Sequence, residues 1–234
     1  MMRLALLLAL GLAAASCAPA PRHGSGGPPP GPGKGRVNAI ANPSALIAIE
    51  IAFNKLAQQE GQWAAFREYA ADDAVMFAPQ PVNAQQWLKD RPEPAARLAW
   101  QPHQVWMSCD GSLGVTKGAW QRTDGKVGYF TTIWRRQDKG EYKWVLDQGD
   151  TLGMAMPEPD MLSAKVADCE AGAPKTSPEA PVVTGSTGEG RSRDGSLAYR
   201  YAVEPSGGRM LAVSIWRDGE MHDVLTSRVS GSGE

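Results

Sequence analysis

Residues 109–150, CDGSLGVTKGAWQRTDGKVGYFTTIWRRQDKGEYKWVLDQGD, decide the fold. Three runs rich in β-branched and aromatic residues are separated by Thr123-Asp124-Gly125-Lys126 and Gln137-Asp138-Lys139-Gly140. Such pairs are hairpin signals, because glycine accepts the positive φ that a tight turn demands. The stretch therefore reads as an antiparallel meander that makes the main sheet of one domain. Alternation puts Trp120, Phe130 and Trp134 on one face and Tyr129 and Ile133 on the other. A sheet that is apolar on both faces is covered on both. A helix from the preceding sequence covers one. A second copy of the chain, as a homodimer through the sheet face, or the C-terminal strands cover the other.

Upstream, Asn42-Pro43-Ser44 opens a long helix, with Asn as cap and Pro at the first position, where a missing N–H costs nothing. Leu46, Ile49, Phe53 and Leu56 recur at helical spacing, and Glu50, Asn54, Lys55, Gln58 and Gln59 read as the opposite, polar face. Gly61 ends that helix. A short helix over 62–70 carries Trp63, Phe66 and Arg67 along one side. Asp72-Asp73 reads as a turn before a short strand over 74–77, and Asn83 caps a third short helix that turns Trp87 and Leu88 inward. Residues 98–109 are strand-like despite Pro102, which suits an edge or a bulge. Alternation there sets His103 with Gln101, Val105 and Met107, opposite Trp100 and Trp106.

At the N-terminus, Arg3 precedes the apolar run Leu4–Ala15, the pattern of a secretory signal and too short to span a bilayer about 30 Å thick. It ends in Ala14-Ala15-Ser16-Cys17, which resembles a bacterial lipobox, although Ala14 stands where that pattern prefers Leu. The resemblance makes Cys17 a lipid attachment site and the membrane a partner through the N-terminal lipid. Ala18 in place of Asp favours the outer membrane. Ordinary cleavage after Ala15 or Ala20, giving a secreted or soluble periplasmic protein, is the alternative. Residues 18–41 are a Pro/Gly linker that cannot make a core. In an oxidising compartment the remaining even pair, Cys109 and Cys169, points to a disulfide.

Beyond the meander, residues 153–190 read as a linker with a short helical turn over 160–167. Residues 191–230 return to alternation as a three-strand C-terminal antiparallel β-meander. Asp110-Gly111-Ser112-Leu113 recurs as Asp194-Gly195-Ser196-Leu197, and Ile133-Trp134-Arg135 as Ile215-Trp216-Arg217. The echo marks either a partial duplication or two hairpins with the same turn chemistry.

The order of elements over residues 43–150, with Phe66-Arg67-Glu68-Tyr69-Ala70-Ala71-Asp72-Asp73-Ala74-Val75 and Tyr142-Lys143-Trp144-Val145-Leu146-Asp147, resembles the nuclear transport factor 2-like superfamily. Within it, the likeness is to SnoaL-like and ketosteroid-isomerase-like bacterial members of unknown function. The resemblance implies an α+β domain over residues 42–152, a cone-shaped curved antiparallel sheet wrapped on a long N-terminal helix. That superfamily holds isomerases, dehydratases, hydrolases and non-catalytic binding modules, so fold does not select a function.

The formal net charge is −1, and no basic stripe is present, so no nucleic-acid partner is expected. Three His and three Cys are scattered, so no metal site is expected. No cofactor is indicated either, since phosphate-binding glycine loops are absent. Proton transfer in such a cone needs a carboxylate in a dry pocket and an oxyanion donor. Asp72, Asp73, Asp147 and Asp150 are the candidate acids, Tyr69, Tyr129 and Tyr142 the candidate donors, and His103 the one imidazole of the domain. Asp147 and Asp150 read as acids at a strand end. The first helix carries Phe53 and no Tyr, which departs from the isomerase pattern, and no catalytic residue is assigned. Phe53, Trp63, Phe77, Trp87, Trp106, Trp120 and Tyr129 are expected to line a pocket for a small apolar ligand or to fill the core. Two functions follow. One is a non-enzymatic envelope lipoprotein whose cone binds a small ligand or a protein. The other is a SnoaL-like enzyme doing acid–base chemistry on a small hydrophobic substrate.

Overall fold

The structure is a computed structural model and describes residues 41–169 and 185–231. The signal-like segment, Cys17 and the body of the Pro/Gly linker lie outside the described residues. Helices α1 (Pro43–Glu60), α2 (Gln62–Tyr69) and α3 (Ala84–Leu88) accompany a seven-stranded sheet. Its strands are β1 (Ala70–Phe77), β2 (Pro81–Asn83), β3 (Leu98–Met107), β4 (Leu113–Arg122), β5 (Val127–Arg136), β6 (Tyr142–Leu152) and β7 (Ser163–Val166). The spatial order is β2-β1-β6-β5-β4-β3-β7. The sheet is mixed, not purely antiparallel: β1 lies parallel to β6, and β7 parallel to β3.

α1 presents Leu46, Glu50, Phe53 and Ala57 to the sheet. Asn42 makes no side-chain cap; its backbone N–H reaches the sulfur of Met107 instead. Gly61, at φ 111°, breaks the helix where an L side chain would be strained, and α2 restarts at once. At Gly114 of β4 the space for a Cβ is taken by Leu46 Cδ1, so glycine sets how closely α1 seats on the sheet. Phe53 is the hub of the helix–sheet interface. Its ring centroid lies 4.9 Å from Phe66, 5.1 Å from Tyr69, 4.7 Å from Trp100 and 5.9 Å from Trp134.

Several expectations are corrected. Asp72 and Asp73 are not a turn; both lie exposed within β1. Asp147 and Asp150 sit inside β6, which runs on to Leu152, not at its end. Residues 160–167 contain β7 rather than a helical turn, because that edge of β3 offers open backbone groups. A register shift between Pro102 and Gln104 breaks the alternation of β3. Trp100 then pairs with Trp120, and Trp106 with Val115, residues of opposite parity on β4. The two indoles therefore face opposite sides of the sheet rather than the same side.

A second sheet has the order β11-β10-β9-β8, from β8 (Ser186–Arg191), β9 (Leu197–Val203), β10 (Arg209–Arg217) and β11 (Glu220–Val229). It holds four strands, the extra one beginning inside the segment read as linker. This sheet covers the back of the first. Tyr129 and Ser227 share a hydroxyl hydrogen bond of 2.8 Å, and Arg209 donates to Gln148 Oε1 at 3.1 Å and to the Gly149 carbonyl at 2.7 Å. Leu197, Leu211, Val213, Ile215 and Leu225 belong to the same buried cluster as Val115, Ile133 and Leu146. Cys109 and Cys169 are disulfide-bonded, with Cα atoms 5.1 Å apart, which ties the end of β3 to the segment after β7.

The repeated tetrapeptide is part of two like turns that meet. In each, the first serine (Ser108, Ser192) donates to the aspartate (2.7 and 2.6 Å) and accepts from the leucine N–H (3.1 and 3.0 Å). The aspartates then cross-cap: Asp110 N–H donates to Asp194 at 2.9 Å and Asp194 N–H to Asp110 at 3.2 Å. The Ile-Trp-Arg echo does not share this register, since Leu113 opposes Arg135 whereas Leu197 opposes Ile215.

Candidate active site

A cavity of about 200 Å³ lies between α1, α2 and the sheet. Phe53, Trp63, Phe66, Trp100, Trp120 and Phe130 supply most of its wall, and Glu50, Thr132, Asp147 and Gln148 supply polar groups. At roughly 30 Å³ per water-sized group, the space suits a molecule of about seven heavy atoms.

Glu50 is fully buried, at 0% exposure. Its position is helical arithmetic: it stands four residues after Leu46 and three before Phe53, in the middle of the buried stripe. Oε1 accepts from Trp100 Nε1 at 2.7 Å. Oε2 accepts from Thr116 Oγ1 at 2.5 Å and from Trp134 Nε1 at 3.1 Å, and that indole N–H is shared with Thr116 Oγ1 at 3.0 Å. Desolvation by burial raises its pKa to about 7, against the three donors that stabilise the anion, and the charge of Asp147 adds to the rise. Oε2 has both lone pairs engaged and Oε1 has one, so the proton of the neutral acid belongs on Oε1.

Asp147 lies directly across from Thr132 in the β5–β6 ladder and accepts from its hydroxyl at 2.7 Å. Part of its surface stays open, and Oδ1 makes no hydrogen bond among the described residues. Burial raises its pKa to about 6, while the Thr132 bond and the charge of Arg209 pull it down. The cavity thus joins one carboxyl that is part protonated near neutral pH to one that is mostly ionised. Such a pair divides acid and base roles by environment.

The other expected residues separate. Phe53, Trp63 and Trp120 line this cavity. Trp87 packs edge-on against Trp63, with the Arg91 guanidinium 3.4 Å from its ring centre. Phe77 meets Tyr201 of the second sheet, Trp106 is buried with its face turned away from Trp100, and Tyr129 bonds Ser227 on the back face. Asp73 holds Arg135 through two bonds of 2.9 and 2.6 Å, which lowers its pKa. Asp150 caps the next backbone N–H. Tyr142 donates to the Gly111 carbonyl at 2.6 Å, and burial raises its pKa; Tyr69 packs tilted against Phe53 and its pKa is also raised by burial. His103 is buried, which lowers its pKa, and lines a separate cavity of about 420 Å³ with Gln101, Gln121 and Glu158. Glu50 is the residue that the sequence reading missed, because a carboxylate was assigned to the polar face by type rather than by angle. Among the described residues no group of three or more His, Cys, Asp or Glu is placed to hold a metal ion.

No protein-family model and no curated protein sequence matches the chain. Solved structures do. An NTF2-like protein of unknown function from Mesorhizobium loti is 20% identical, over 47% of this chain and 93% of that one, with a TM-score of 0.31. A Δ5-3-ketosteroid isomerase from Mycobacterium sp. is 15% identical, over 44% and 91%, with a TM-score of 0.32. A conserved protein from Planctomyces limnophilus is 14% identical, over 47% and 98%, with a TM-score of 0.35. Each of these matches spans under half of this chain and nearly the whole of the other protein.

Proposed function

We propose that this chain is a cell-envelope protein whose helix-lined cavity binds a small apolar carbonyl compound and moves a proton on it. The observation that supports this is the pair of desolvated carboxyls, Glu50 and Asp147, in a cavity otherwise walled by aromatic rings. Asp147, through its free Oδ1, takes a proton from the carbon next to the carbonyl. Glu50, protonated on Oε1, donates to the carbonyl oxygen as charge builds on it. The enol so formed collapses when a proton returns to carbon and Glu50 recovers its own, which is isomerase-type chemistry, and the same pair serves a dehydratase. General-base catalysis of this kind contributes about 10²–10⁴-fold. The envelope location, as an outer-membrane lipid-anchored protein, is supported by Arg3, the apolar run to Ala15 and Cys17.

Deuterium incorporation into a small cyclic ketone such as cyclohexenone, followed by NMR, tests the reading. The wild-type chain should accelerate exchange, Asp147→Asn should abolish the acceleration, and Glu50→Gln should reduce it. Binding of the ketone without exchange would favour the second reading, a non-catalytic ligand-binding cone, which the apolar lining supports. Absence of binding would reject both.

A further inference from the structure

The cavity of about 420 Å³ beside the β3–β4 ladder has a polar lining that the proton-transfer site does not use. Gln101 pairs with Ala119 and Ala99 with Gln121, so the two exposed glutamines lie diagonally on one face of that ladder. Asn54 joins them from α1, and the crossover between β6 and β7 contributes Met156 and Glu158. Trp100 and Trp120 line both cavities, and the Trp120 ring is fixed by its Nε1 bond to the Tyr129 carbonyl at 2.9 Å. Pro102, which has no N–H to give the ladder, sits at the register shift, and His103 is the residue left without a partner on β4. Such a bulge re-aims a side chain. The His103 ring, 6% exposed, lines the cavity, and its buried Nε2 has no hydrogen-bond partner among the described residues. A buried polar atom left unpaired in a native fold asks for a partner.

The side chains of Gln101, Gln121 and Glu158 also make no hydrogen bond or ion pair among the described residues. Asn54 commits only its oxygen, which accepts from Gln58 at 3.2 Å and from the Trp100 backbone N–H at 3.3 Å. An amide head both donates and accepts, and a neutral imidazole does so across its two nitrogens. A hydroxyl does both as well, so a hydroxylated ligand satisfies this lining in either sense. The indoles and the Met156 side chain meet its carbon-bound hydrogens. No Lys or Arg lines the cavity and its one carboxylate is Glu158, so an anion is disfavoured. Burial lowers the His103 pKa against the opposing pull of Glu158, so the ring adds no charge near neutral pH. At roughly 30 Å³ per water-sized group the volume admits about fourteen such groups, and a hexose has about twelve. We infer that this cavity is a binding site for a neutral, hydroxyl-rich molecule of monosaccharide size. The site stands independently of the chemistry proposed for Glu50 and Asp147.

The test titrates the full chain with glucose, galactose and N-acetylglucosamine, read by saturation-transfer NMR and calorimetry, with tetramethylammonium as a cationic probe. At least one sugar should bind saturably. The paired variant Gln101→Ala/Gln121→Ala changes two exposed side chains outside the core, and should bind that sugar at least about tenfold more weakly. His103→Phe, which keeps a ring and removes its nitrogens, should weaken binding about fivefold. Glu158→Gln keeps an acceptor and should change it less than about twofold. Absence of sugar binding overturns the proposal, as does sugar binding that the paired variant leaves unchanged. Binding of tetramethylammonium alone, abolished in Glu158→Gln, overturns it in favour of a cation.

Discussion

Glu50 makes the stability of this protein fall as pH rises, and Glu50→Gln should remove that fall. The folded carboxyl has a pKa of about 7 against a reference of 4.5. Because the folded value is raised, the native state holds a proton that the unfolded chain has lost, and the stabilisation is complete below the reference value. It disappears as pH climbs through the folded pKa. At about pH 5.5 the native group is almost wholly protonated and the unfolded one almost wholly ionised; by about pH 8 both are ionised, and some 2 kcal/mol has gone. Asp147, raised from 3.8 to about 6, should lose roughly 1 kcal/mol more over the same interval. Asp73, Asp194 and Asp223 are lowered by hydrogen bonds, so they lose stability as pH falls instead, and measurements are best kept above about pH 5. Glutamine cannot both serve Thr116 and Trp134 and accept from Trp100, so the variant carries a cost of about 1–3 kcal/mol. That cost does not vary with pH. Urea unfolding at about pH 5.5 and pH 8, with a constant m-value, isolates the difference. Between the two, the wild type should lose about 2 kcal/mol more than Glu50→Gln; His103, whose lowered pKa adds stability as pH rises through the same window, acts in both proteins and leaves that difference unchanged. An equal loss in both would show that Glu50 titrates normally, and the acid role assigned to it would fall.

Two other expectations concern how the sheets are held. Reducing Cys109–Cys169, or replacing both by Ser, opens a loop closed across a separation of 60 residues. It should cost about 4 kcal/mol on the loop-entropy estimate, read as a lower urea midpoint; an unchanged midpoint would mean that the pairing of β7 with β3 and the contact with the second sheet fix that segment without the bridge. Asp110→Ala and Asp194→Ala each strip half-buried turn bonds and should cost about 1–3 kcal/mol. Because the two aspartates cap one another's backbone, a double-mutant cycle should give a coupling above about 0.5 kcal/mol, and strict additivity would refute the interlock.

Much of this protein was legible before any coordinates. Composition and turn chemistry located three strands between Cys109 and Asp150, since Asp124-Gly125 and Gly140 punctuate the apolar runs, although the last strand runs on to Leu152. The cysteine arithmetic located the disulfide. The repeated Asp-Gly-Ser-Leu was visible as well, but not that its copies would face and cap each other, because a partner 84 residues away leaves no local trace. The parallel edge strand Ser163–Val166 was hidden for the same reason: only the open backbone of β3 makes four exposed residues a strand.

The site divides along the same line. The sequence by itself determined that aromatic residues would crowd the helix–sheet interface, and that Leu46 and Phe53 would share one stripe, because a 3.6-residue period is a property of the chain alone; Ile49 and Leu56, read into the same stripe, are only half-buried, and Ala57 takes a place in it instead. Glu50 falls in that stripe by the same period. Which cost wins there, desolvation of a carboxyl or the bonds that offset it, depends on Trp100, Thr116 and Trp134 arriving from three different strands. Only the tertiary structure could decide that, since a pKa is set by what surrounds a group in space and not by its neighbours in sequence.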